Sequence, residues 1–409
     1  MVGFLLPLIL GGLLYAIWST NKDSKRVLQL IIGAYTVRML LQFFVRDLPI
    51  FSYGAGGDCG FYEWCGSRFA RVWTLQGVEF FTSDKFPEIG NAALPINLFA
   101  FIVYLNGDLT RAGCTSVVAF CSVMACYQLY RLACTFGADE THAFKATAVL
   151  LFLPGYLFYT SDMYKDGIVL FFVITALSAS FRLSQRFSVL HIAIAAGALS
   201  GLWFVRHYMV FLAIAPLAVG LLGIGKGSSA RQAVGFGALL LVVIIAMRTS
   251  AFESLTENAQ STFDRASSVG SRQWNQISGS GVDFDDGGNA FGALHLKVLY
   301  TLFSPFPWQG GSFALQMGKI DTGVWYFFFW RAMRASRRLW STERARLLMF
   351  YSFLIPLTIA YATTMANIGL ILRQRLPIIY VGSLLGMLSW PALGTLSAPG
   401  RLRPGPPRP

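Results

Sequence analysis

Long apolar stretches recur along almost the whole of this chain, and they constrain its fold more than any other feature. A helix needs about 20 apolar residues to cross the roughly 30 Å hydrocarbon core of a bilayer. The candidate spans are 2–18, 27–44, 112–134, 146–161, 166–182, 188–205, 208–224, 233–249, 320–333, 346–365 and 376–395. The sequence therefore predicts an all-α, polytopic integral membrane helical bundle with about eleven spans.

The composition excludes the main alternatives to a membrane protein. Hydrophobic residues make up 55% of the 409 residues and charged residues only 13%, whereas soluble domains carry about 25% charged residues. This shortage of polar surface excludes a soluble globule, a disordered chain and a coiled coil. In a soluble protein the net charge of +13 would suggest a nucleic-acid partner. Membrane topology explains that charge here, and no nucleic acid is expected.

Basic side chains fix the direction of the spans. They concentrate in alternate links and in the tail, namely in 19–26, 183–187, 225–232, 331–346 and 396–409. Because Lys and Arg accumulate on the cytoplasmic side of membrane proteins, these segments are predicted to be cytoplasmic. The other connections are then predicted to face outward: 45–111, 162–165, 206–207, 250–319 and 366–375.

The pattern predicts one transmembrane domain, residues 1–395, followed by a disordered basic cytoplasmic tail, 396–409. The large first outward loop is expected to carry amphipathic helices. Apolar segments 93–107 and 293–317 are interrupted by Pro, Asn or Gly, which predicts half-buried or re-entrant helices. We find no inverted pair of broken helices of the kind that secondary transporters contain.

The first candidate site residue is Asp58, in the sequence GGDCGFYEW just after the second span. Glycines let the backbone lie close to a ligand, and a carboxylate at the membrane surface is a suitable base for a hydroxyl. Glu63 in the same sequence is the second candidate. The alternative interpretation is an acidic loop that only follows the outward charge pattern.

The second candidate group lies in the short outward turn after Pro154. There Lys165 stands between Asp162 and Asp166. An ammonium can bind a phosphate as a point charge, and a neighbouring carboxylate can orient it. The alternative is a turn whose charges only mark the ends of two helices.

Arginines in outward turns form the third group, because topology does not explain them. Arg206 is followed by His207, and Arg373 and Arg375 lie close to the last span. Each arginine needs a partner, which is either a loop acid or a lipid phosphate. His207 is more typical of a structural hydrogen-bonding residue than of a base. Arg38, inside the second span, is expected to face the bundle or to extend toward the membrane surface.

Cysteine and histidine spacing does not predict a metal site built from soft ligands. The sequence contains neither a CxxC motif nor a Cys/His cluster. Cys59 and Cys65 lie in the first outward loop, where an oxidising space would permit a disulfide without requiring one.

Four motifs, in the order GGDCGFYEW, PGYLFYTSDMYKDGIVLFF, SPFPW and LRQRLP, give the chain a family resemblance. SPFPW alone is typical of a structural corner, or of the wall of a groove for a lipid chain. Together the motifs resemble the C-type (GT-C) membrane glycosyltransferases of bacterial envelope-polysaccharide biosynthesis. Asp58 matches the acid of that family's first large outward loop. It follows the second span rather than the first, which implies one extra N-terminal helix.

The resemblance implies inverting transfer of a sugar from a polyprenyl-phosphate-linked donor to a glycan or lipid-linked acceptor. The reaction would take place on the periplasmic face of the bacterial inner membrane, among membrane lipids, with no cofactor and at most a weak need for a divalent metal. Asp58 would deprotonate or orient the acceptor hydroxyl. The donor phosphate would be bound by Lys165, Arg206, Arg373 and Arg375.

Two other functions fit the same layout. A lipid-linked oligosaccharide polymerase of the O-antigen kind is close in arrangement. A polysaccharide or lipid transporter, or an export scaffold, is the non-enzymatic alternative. A transporter is expected to have matched broken helices and polar residues at mid-membrane, whereas this chain concentrates its polar residues on one face.

Overall fold

A computed structural model describes residues 2–20, 25–45, 56–90, 92–222, 281–285, 291–311 and 313–392. Within these ranges the regular structure is helical and contains no β-strand, apart from two isolated bridges. The all-α prediction is therefore confirmed for the described residues. The stretch 233–249 and the tail 396–409 lie outside them.

The helices are, in chain order, α1 (Val2–Thr20), α2 (Lys25–Val45), α3 (Gly56–Gln76), α4 (Ala93–Asn106), α5 (Arg111–Thr135), α6 (Glu140–Leu151), α7 (Pro154–Thr160), α8 (Asp166–Gln185), α9 (Val189–Arg206), α10 (Tyr208–Leu222), α11 (Leu294–Phe303), α12 (Phe313–Thr342), α13 (Arg344–Thr363), α14 (Ile368–Gln374) and α15 (Leu376–Met387). One 3-10 turn, Pro87–Ile89, precedes α4.

Five of the described helices are long and apolar enough to cross a membrane: α2, α5, α8, α9 and α13. Two bent pairs, α6–α7 and α14–α15, raise the number to seven if each pair is one span. The chain is thus a membrane protein with five to seven candidate spans among the described residues. The finer count of about eleven is not confirmed, because α1, α4, α10 and α11 are shorter apolar helices.

The α6–α7 bend corrects the sequence interpretation, which read 146–161 as one continuous span. In the second pair, α14 lies in the predicted outward connection 366–375, and α15 lies in the predicted span 376–395. The axis turns by 60° between α6 and α7 and by 51° between α14 and α15. Pro154 begins α7, and Pro377 lies in the first turn of α15. Proline cannot donate the helical hydrogen bond and disfavours helical geometry in the residue before it, so each helix is interrupted there.

Side chains from other helices satisfy the backbone groups released at the α6–α7 bend. The carbonyl of Leu151 accepts a hydrogen bond from Arg38 Nη2 at 2.9 Å, and that of Leu150 accepts one from the Tyr380 hydroxyl at 2.6 Å. The Gly155 amide donates to Asp321 Oδ2 at 2.8 Å. Without such partners, each exposed backbone group would be costly in a membrane. Of the two placements expected for Arg38, the one that faces the bundle is confirmed, since its side chain is fully buried.

Helices α5 and α8 form the centre of the bundle. Each is more deeply buried than the other three continuous candidate spans, α2, α9 and α13, and α8 packs against α5, α9 and α10. At Gly167 a Cβ atom would lie 2.2 Å from Ser122 Oγ and 3.0 Å from the Val118 carbonyl oxygen. Only glycine therefore permits this close approach of α8 to α5.

Helix α3 lies across one end of the bundle rather than along the spans. Asp58 at its beginning contacts Arg373, and Phe80, shortly after its end, contacts Phe204 near the end of α9. The buried face of α3 packs against the loop that leads to α4. The ring centroids of Phe69 on α3 and Phe81 in that loop are 4.9 Å apart. Segment 45–111 therefore contains a helix at this end of the bundle, and its placement in an outward loop stays a prediction.

Contacts also group the predicted basic links at the other end. Arg346 lies over the Phe136 ring at 4.8 Å, and that ring packs against Phe181 near the end of α8 at 4.7 Å. Links 183–187 and 331–346 therefore lie at the same end of the bundle, as predicted. The side of the membrane that this end faces stays a prediction.

Candidate functional site

Four chain segments that are distant in sequence meet at the end of the bundle covered by α3. Asp58 comes from the first turn of α3 and Asp166 from the first turn of α8. Arg206 is the last residue of α9, and Arg373 lies in the last turn of α14. The sequence predicted that these segments share one face, and their side-chain contacts confirm it. We call these four residues and Lys165 the ion cluster.

Arg373 joins the two carboxylates of the ion cluster. Its Nη1 atom donates to Asp58 Oδ2 at 2.5 Å, and its Nε atom donates to Asp166 Oδ2 at 2.5 Å. Charge-assisted hydrogen bonds of this kind are about twice as strong as neutral ones. The guanidinium is therefore fixed between an acid of the first outward loop and an acid of a central span.

Asp166 is the deepest member of the ion cluster. Its side chain is only 2% exposed, and its second oxygen accepts a hydrogen bond from Arg206 Nη2 at 3.2 Å. Both carboxylate oxygens are thus occupied by arginines. A position at the N-terminus of α8 also favours a negative charge. Asp166 is suited to orienting the two arginines rather than to proton transfer.

Asp58 is the accessible acid of the ion cluster, since half of its side chain is exposed. Partial burial acts to raise the pKa of the Asp58 carboxyl. The charge and hydrogen bond of Arg373, followed by the charges of Lys165 and Arg206, outweigh that effect and hold this pKa below its usual value. Asp58 is therefore an ionised, accessible carboxylate beside three cations.

Lys165 is half-buried in the turn between α7 and α8. Burial lowers the pKa of its ammonium to about 7, and the nearby charges of Arg206 and Arg373 act in the same direction. The carboxylates of Asp166 and Asp58 oppose this shift. The charge of the ion cluster therefore changes close to neutral pH.

Tyrosines line the ion cluster, and the sequence analysis assigned them no role. The Arg373 guanidinium lies over the rings of Tyr164 at 5.1 Å and Tyr159 at 5.8 Å, and these two rings meet edge to face. The buried Tyr62 lies one turn after Asp58 on α3. The signal that could have revealed Tyr159 and Tyr164 is their place beside Lys165 in a turn that already held three candidates.

Asp162 and His207 lie in the turns that carry the ion cluster. Asp162 is buried, and its Oδ1 atom accepts a hydrogen bond from the Met163 amide at 2.7 Å, which stabilises the turn. The His207 ring is also buried and packs against Trp203, with ring centroids 5.8 Å apart. Both placements are typical of residues that shape a site.

Glu63 lies on α3 but contacts a different partner. Arg111, at the start of α5, donates from Nε at 3.1 Å and from Nη2 at 3.0 Å to its two oxygens. This two-point contact connects α3 to the bundle. This contact does not test the catalytic role expected for Glu63, which stays a prediction.

Arg375 lies apart from the ion cluster, although it is only two positions after Arg373. Its side chain is 1% exposed. It donates to the carbonyl of Ser304, the first residue of the SPFPW corner, to the carbonyls of Thr301 and Leu302 just before it, and to Thr322 Oγ1 at 2.5 Å. Both Nη atoms therefore bind inside the protein, and Arg375 lies outside the ion cluster. The phosphate role expected for it stays a prediction.

Asp321 was not identified from the sequence. It is buried on α12, and its Oδ2 atom holds the Gly155 amide at the α6–α7 bend. A Cβ atom on Gly155 would lie 2.2 Å from that oxygen, so a larger residue would displace the Asp321 carboxylate from this contact. A lone acid inside the apolar stretch 320–333 was the available signal, since intramembrane acids are rarely incidental.

Cys59 and Cys65 are both buried and have free thiols. Six residues along α3 separate their backbones by a rise of about 9 Å. This exceeds the distance of about 7 Å that a disulfide can bridge. The disulfide that the sequence left open is therefore absent from this fold.

Among the described residues, no group of three or more His, Cys, Asp or Glu side chains is placed to hold a metal ion. The expected metal independence stays a prediction. Comparison of the chain with protein-family models, curated proteins and solved structures gives no match. The functional interpretation therefore depends on the residues of the ion cluster.

Proposed function

We propose that this protein is an inverting membrane glycosyltransferase that moves a sugar from a polyprenyl-phosphate-linked donor to a glycan or lipid-linked acceptor. The observation that carries the proposal is the ion cluster, in which an accessible carboxylate adjoins three cations at one end of a membrane helical bundle. Lipid-linked sugars present their phosphate at the membrane surface, while their apolar chain stays in the bilayer. We place the reaction on the outer face of a bacterial inner membrane.

In the proposed reaction, the acceptor oxygen forms a bond to the anomeric carbon of the sugar. The bond from that carbon to the donor phosphate breaks, and the electron pair leaves on the phosphate. Asp58 accepts the proton of the acceptor hydroxyl. Lys165, Arg206 and Arg373 bind the phosphate and stabilise the charge that develops on it, which is the role of fixed cations in such transfers.

The donor itself would prepare Asp58 as a base. Arg373 holds the pKa of Asp58 low. A phosphate bound to Arg373 would neutralise part of its charge and compete for Nη1, while Asp166 keeps Nε in place. The carboxylate of Asp58 would then become more basic and turn toward the acceptor.

The decisive experiment compares two variants of the full-length protein in nanodiscs, with donor binding and sugar transfer measured separately. Asp58→Asn is expected to lose about 10²- to 10⁴-fold in transfer rate, the usual contribution of a general base, and to retain donor binding. Arg373→Gln is expected to weaken donor binding, because a charge-assisted phosphate contact is lost.

Glu63→Gln is the matched control, since it also neutralises a carboxylate of α3 but lies at Arg111 rather than in the ion cluster. With Asp58 as the base, it is expected to retain transfer activity within a few-fold, whereas a loss as large as that of Asp58→Asn would support the catalytic role predicted for Glu63. Full activity in Asp58→Asn would reject Asp58 as the base and direct attention to Glu63 or Asp162. The length of the product distinguishes single transfer from polymerisation of lipid-linked repeat units.

One observation favours a second function, translocation of a lipid-linked saccharide. The bent pairs α6–α7 and α14–α15 meet beside the ion cluster, since α7 packs against α14. Discontinuous helices at a polar site are typical of transporters. Proteoliposomes that contain a fluorescent lipid-linked sugar and no acceptor separate the two functions. Translocation under these conditions, with no transfer when an acceptor is added, would favour the transporter.

A further inference from the structure

The end of the bundle opposite the ion cluster carries an exposed row of arginine and tryptophan on α12. Trp330 is 48% exposed and Trp340 56% exposed, and the exposed Arg334 and Arg337 lie between them. Successive spacings of four, three and three residues place all four on one face of the helix. We call these four residues the Arg–Trp row.

Stacking orients arginines in and around this row. The Arg334 guanidinium lies 3.8 Å from the centroid of the Trp330 ring. Just after the row, Arg344 lies 5.5 Å from the centroid of the Trp340 ring. A guanidinium on an aromatic face keeps its N–H donors in its own plane, directed past the edge of the ring. Among the described residues, Arg334 and Arg337 donate no side-chain hydrogen bond to the protein.

Charge at this end of the bundle is strongly one-sided. The segments 131–145, 182–191 and 331–346, which the Arg346, Phe136 and Phe181 contacts bring together, contain ten Lys or Arg and three Asp or Glu. Fixed positive charge that is not matched by acids attracts anions. The surface around the Arg–Trp row is therefore complementary to a negatively charged partner.

The position of the row identifies that partner. Helix α8 runs from the ion cluster at Asp166 to this end of the bundle, and its 20 residues span about 30 Å. This length equals the hydrocarbon thickness of a bilayer. The Arg–Trp row therefore lies at the level of a leaflet's headgroups, where tryptophan is enriched and arginine meets lipid phosphate.

We propose that the Arg–Trp row binds the headgroups of anionic phospholipids in the leaflet opposite the ion cluster. The tryptophan rings lie at the boundary between headgroups and acyl chains, and the arginines donate to the lipid phosphates. This proposal is independent of sugar transfer. Each arginine is expected to contribute about fivefold to the preference for anionic over zwitterionic lipid, from the usual size of such contacts.

The test uses the full-length protein extracted from bilayers of phosphatidylcholine and phosphatidylglycerol, with bound lipids counted by native mass spectrometry. Arg334→Gln with Arg337→Gln is expected to reduce the preference for phosphatidylglycerol by about 10- to 30-fold. The matched control, Arg182→Gln with Arg186→Gln, removes the same charge from the same end but not from the row. It is expected to stay within about twofold of the unchanged protein.

Equal losses in the two double variants would overturn the proposal, because the effect would then be one of net charge alone. No loss in the Arg334 and Arg337 variant would overturn it as well. A third measurement adds inorganic phosphate at constant ionic strength. The amount of bound phosphatidylglycerol is expected to remain unchanged, and displacement by phosphate would instead identify a site for free anions.

Discussion

At the scale of single residues, the two acids of the ion cluster differ in burial and should respond differently to the same change. Asp166→Asn would leave Arg206 and Arg373 without their buried carboxylate. Loss of one partner from a buried ion pair costs about 3–5 kcal/mol of stability. Asp58 is half exposed, so Asp58→Asn should cost no more than about 1 kcal/mol.

Thermal unfolding in detergent provides the measurement, and Asp58→Asn serves as the control for Asp166→Asn. Only the variant at Asp166 is expected to lower the melting temperature clearly. Equal melting temperatures for both variants would contradict the assignment of Asp166 as the residue that orients the arginines. In that case the ion cluster would be held by its surroundings rather than by this carboxylate.

Lys165 gives the ion cluster a pH dependence. Its pKa of about 7 means that the ammonium is charged below that pH and loses its charge above it. Donor binding should therefore weaken by about tenfold as the pH rises from 6 to 8, the size of one charge-assisted hydrogen bond. A sugar bound to polyprenyl phosphate is a phosphodiester, so its own charge does not change in this range.

The same titration on two variants identifies the group responsible. Lys165→Gln should bind the donor weakly at both pH values and lose the dependence. His207→Gln, which changes a titratable residue of the adjacent turn, should retain it. A pH dependence that disappears with His207 rather than with Lys165 would reject the role of the lysine.

At the scale of elements, the α6–α7 bend depends on side chains that replace helical hydrogen bonds. Tyr380→Phe removes the hydroxyl that donates to the Leu150 carbonyl and nothing else. This substitution is expected to lower the free energy of unfolding by about 1 kcal/mol. Arg38→Met removes donors to both the Leu151 carbonyl and the Thr160 hydroxyl, so it should cost two to three times as much.

Unfolding of these two variants in one detergent gives the comparison, and Thr36→Ala is the control. Thr36 lies half a turn before Arg38 on α2, and within the described part of the chain its exposed hydroxyl donates only to the Ile32 carbonyl of its own helix. If Arg38→Met lowers the free energy of unfolding no more than Thr36→Ala does, the role of Arg38 at the bend is contradicted.

Hydropathy predicted where helices occur better than where they bend. The stretches 27–44, 112–134 and 166–182 correspond to α2, α5 and α8, because uninterrupted apolar runs leave no other way to satisfy the backbone in a membrane. The stretch 146–161 contains Pro154, but averaging over its apolar neighbours conceals the interruption. The partners that stabilise this bend come from distant helices and leave no local pattern.

At the scale of the whole molecule, the sequence predicted which residues collect at one end better than it predicted their partners. Charge alternation placed the segments of Asp58, Lys165, Arg206 and Arg373 on one face, and they meet there. Arg375 has the same residue type and nearly the same position, but its side chain points into the SPFPW corner. Helix rotation decides that difference, and topology alone does not specify it.

The last prediction concerns the orientation of the molecule in the membrane. Ser83 is exposed between α3 and α4, near the ion-cluster end, and Ser341 is exposed at the end of α12, near the Arg–Trp row. The basic row should face the cytoplasm. In intact cells, a membrane-impermeant maleimide should therefore label Ser83→Cys and leave Ser341→Cys unlabelled until the membrane is opened. The unchanged chain, with its own largely buried cysteines, measures the background. Labelling of both positions from outside would contradict the two-ended arrangement, and labelling of Ser341→Cys alone would place the ion cluster on the cytoplasmic side.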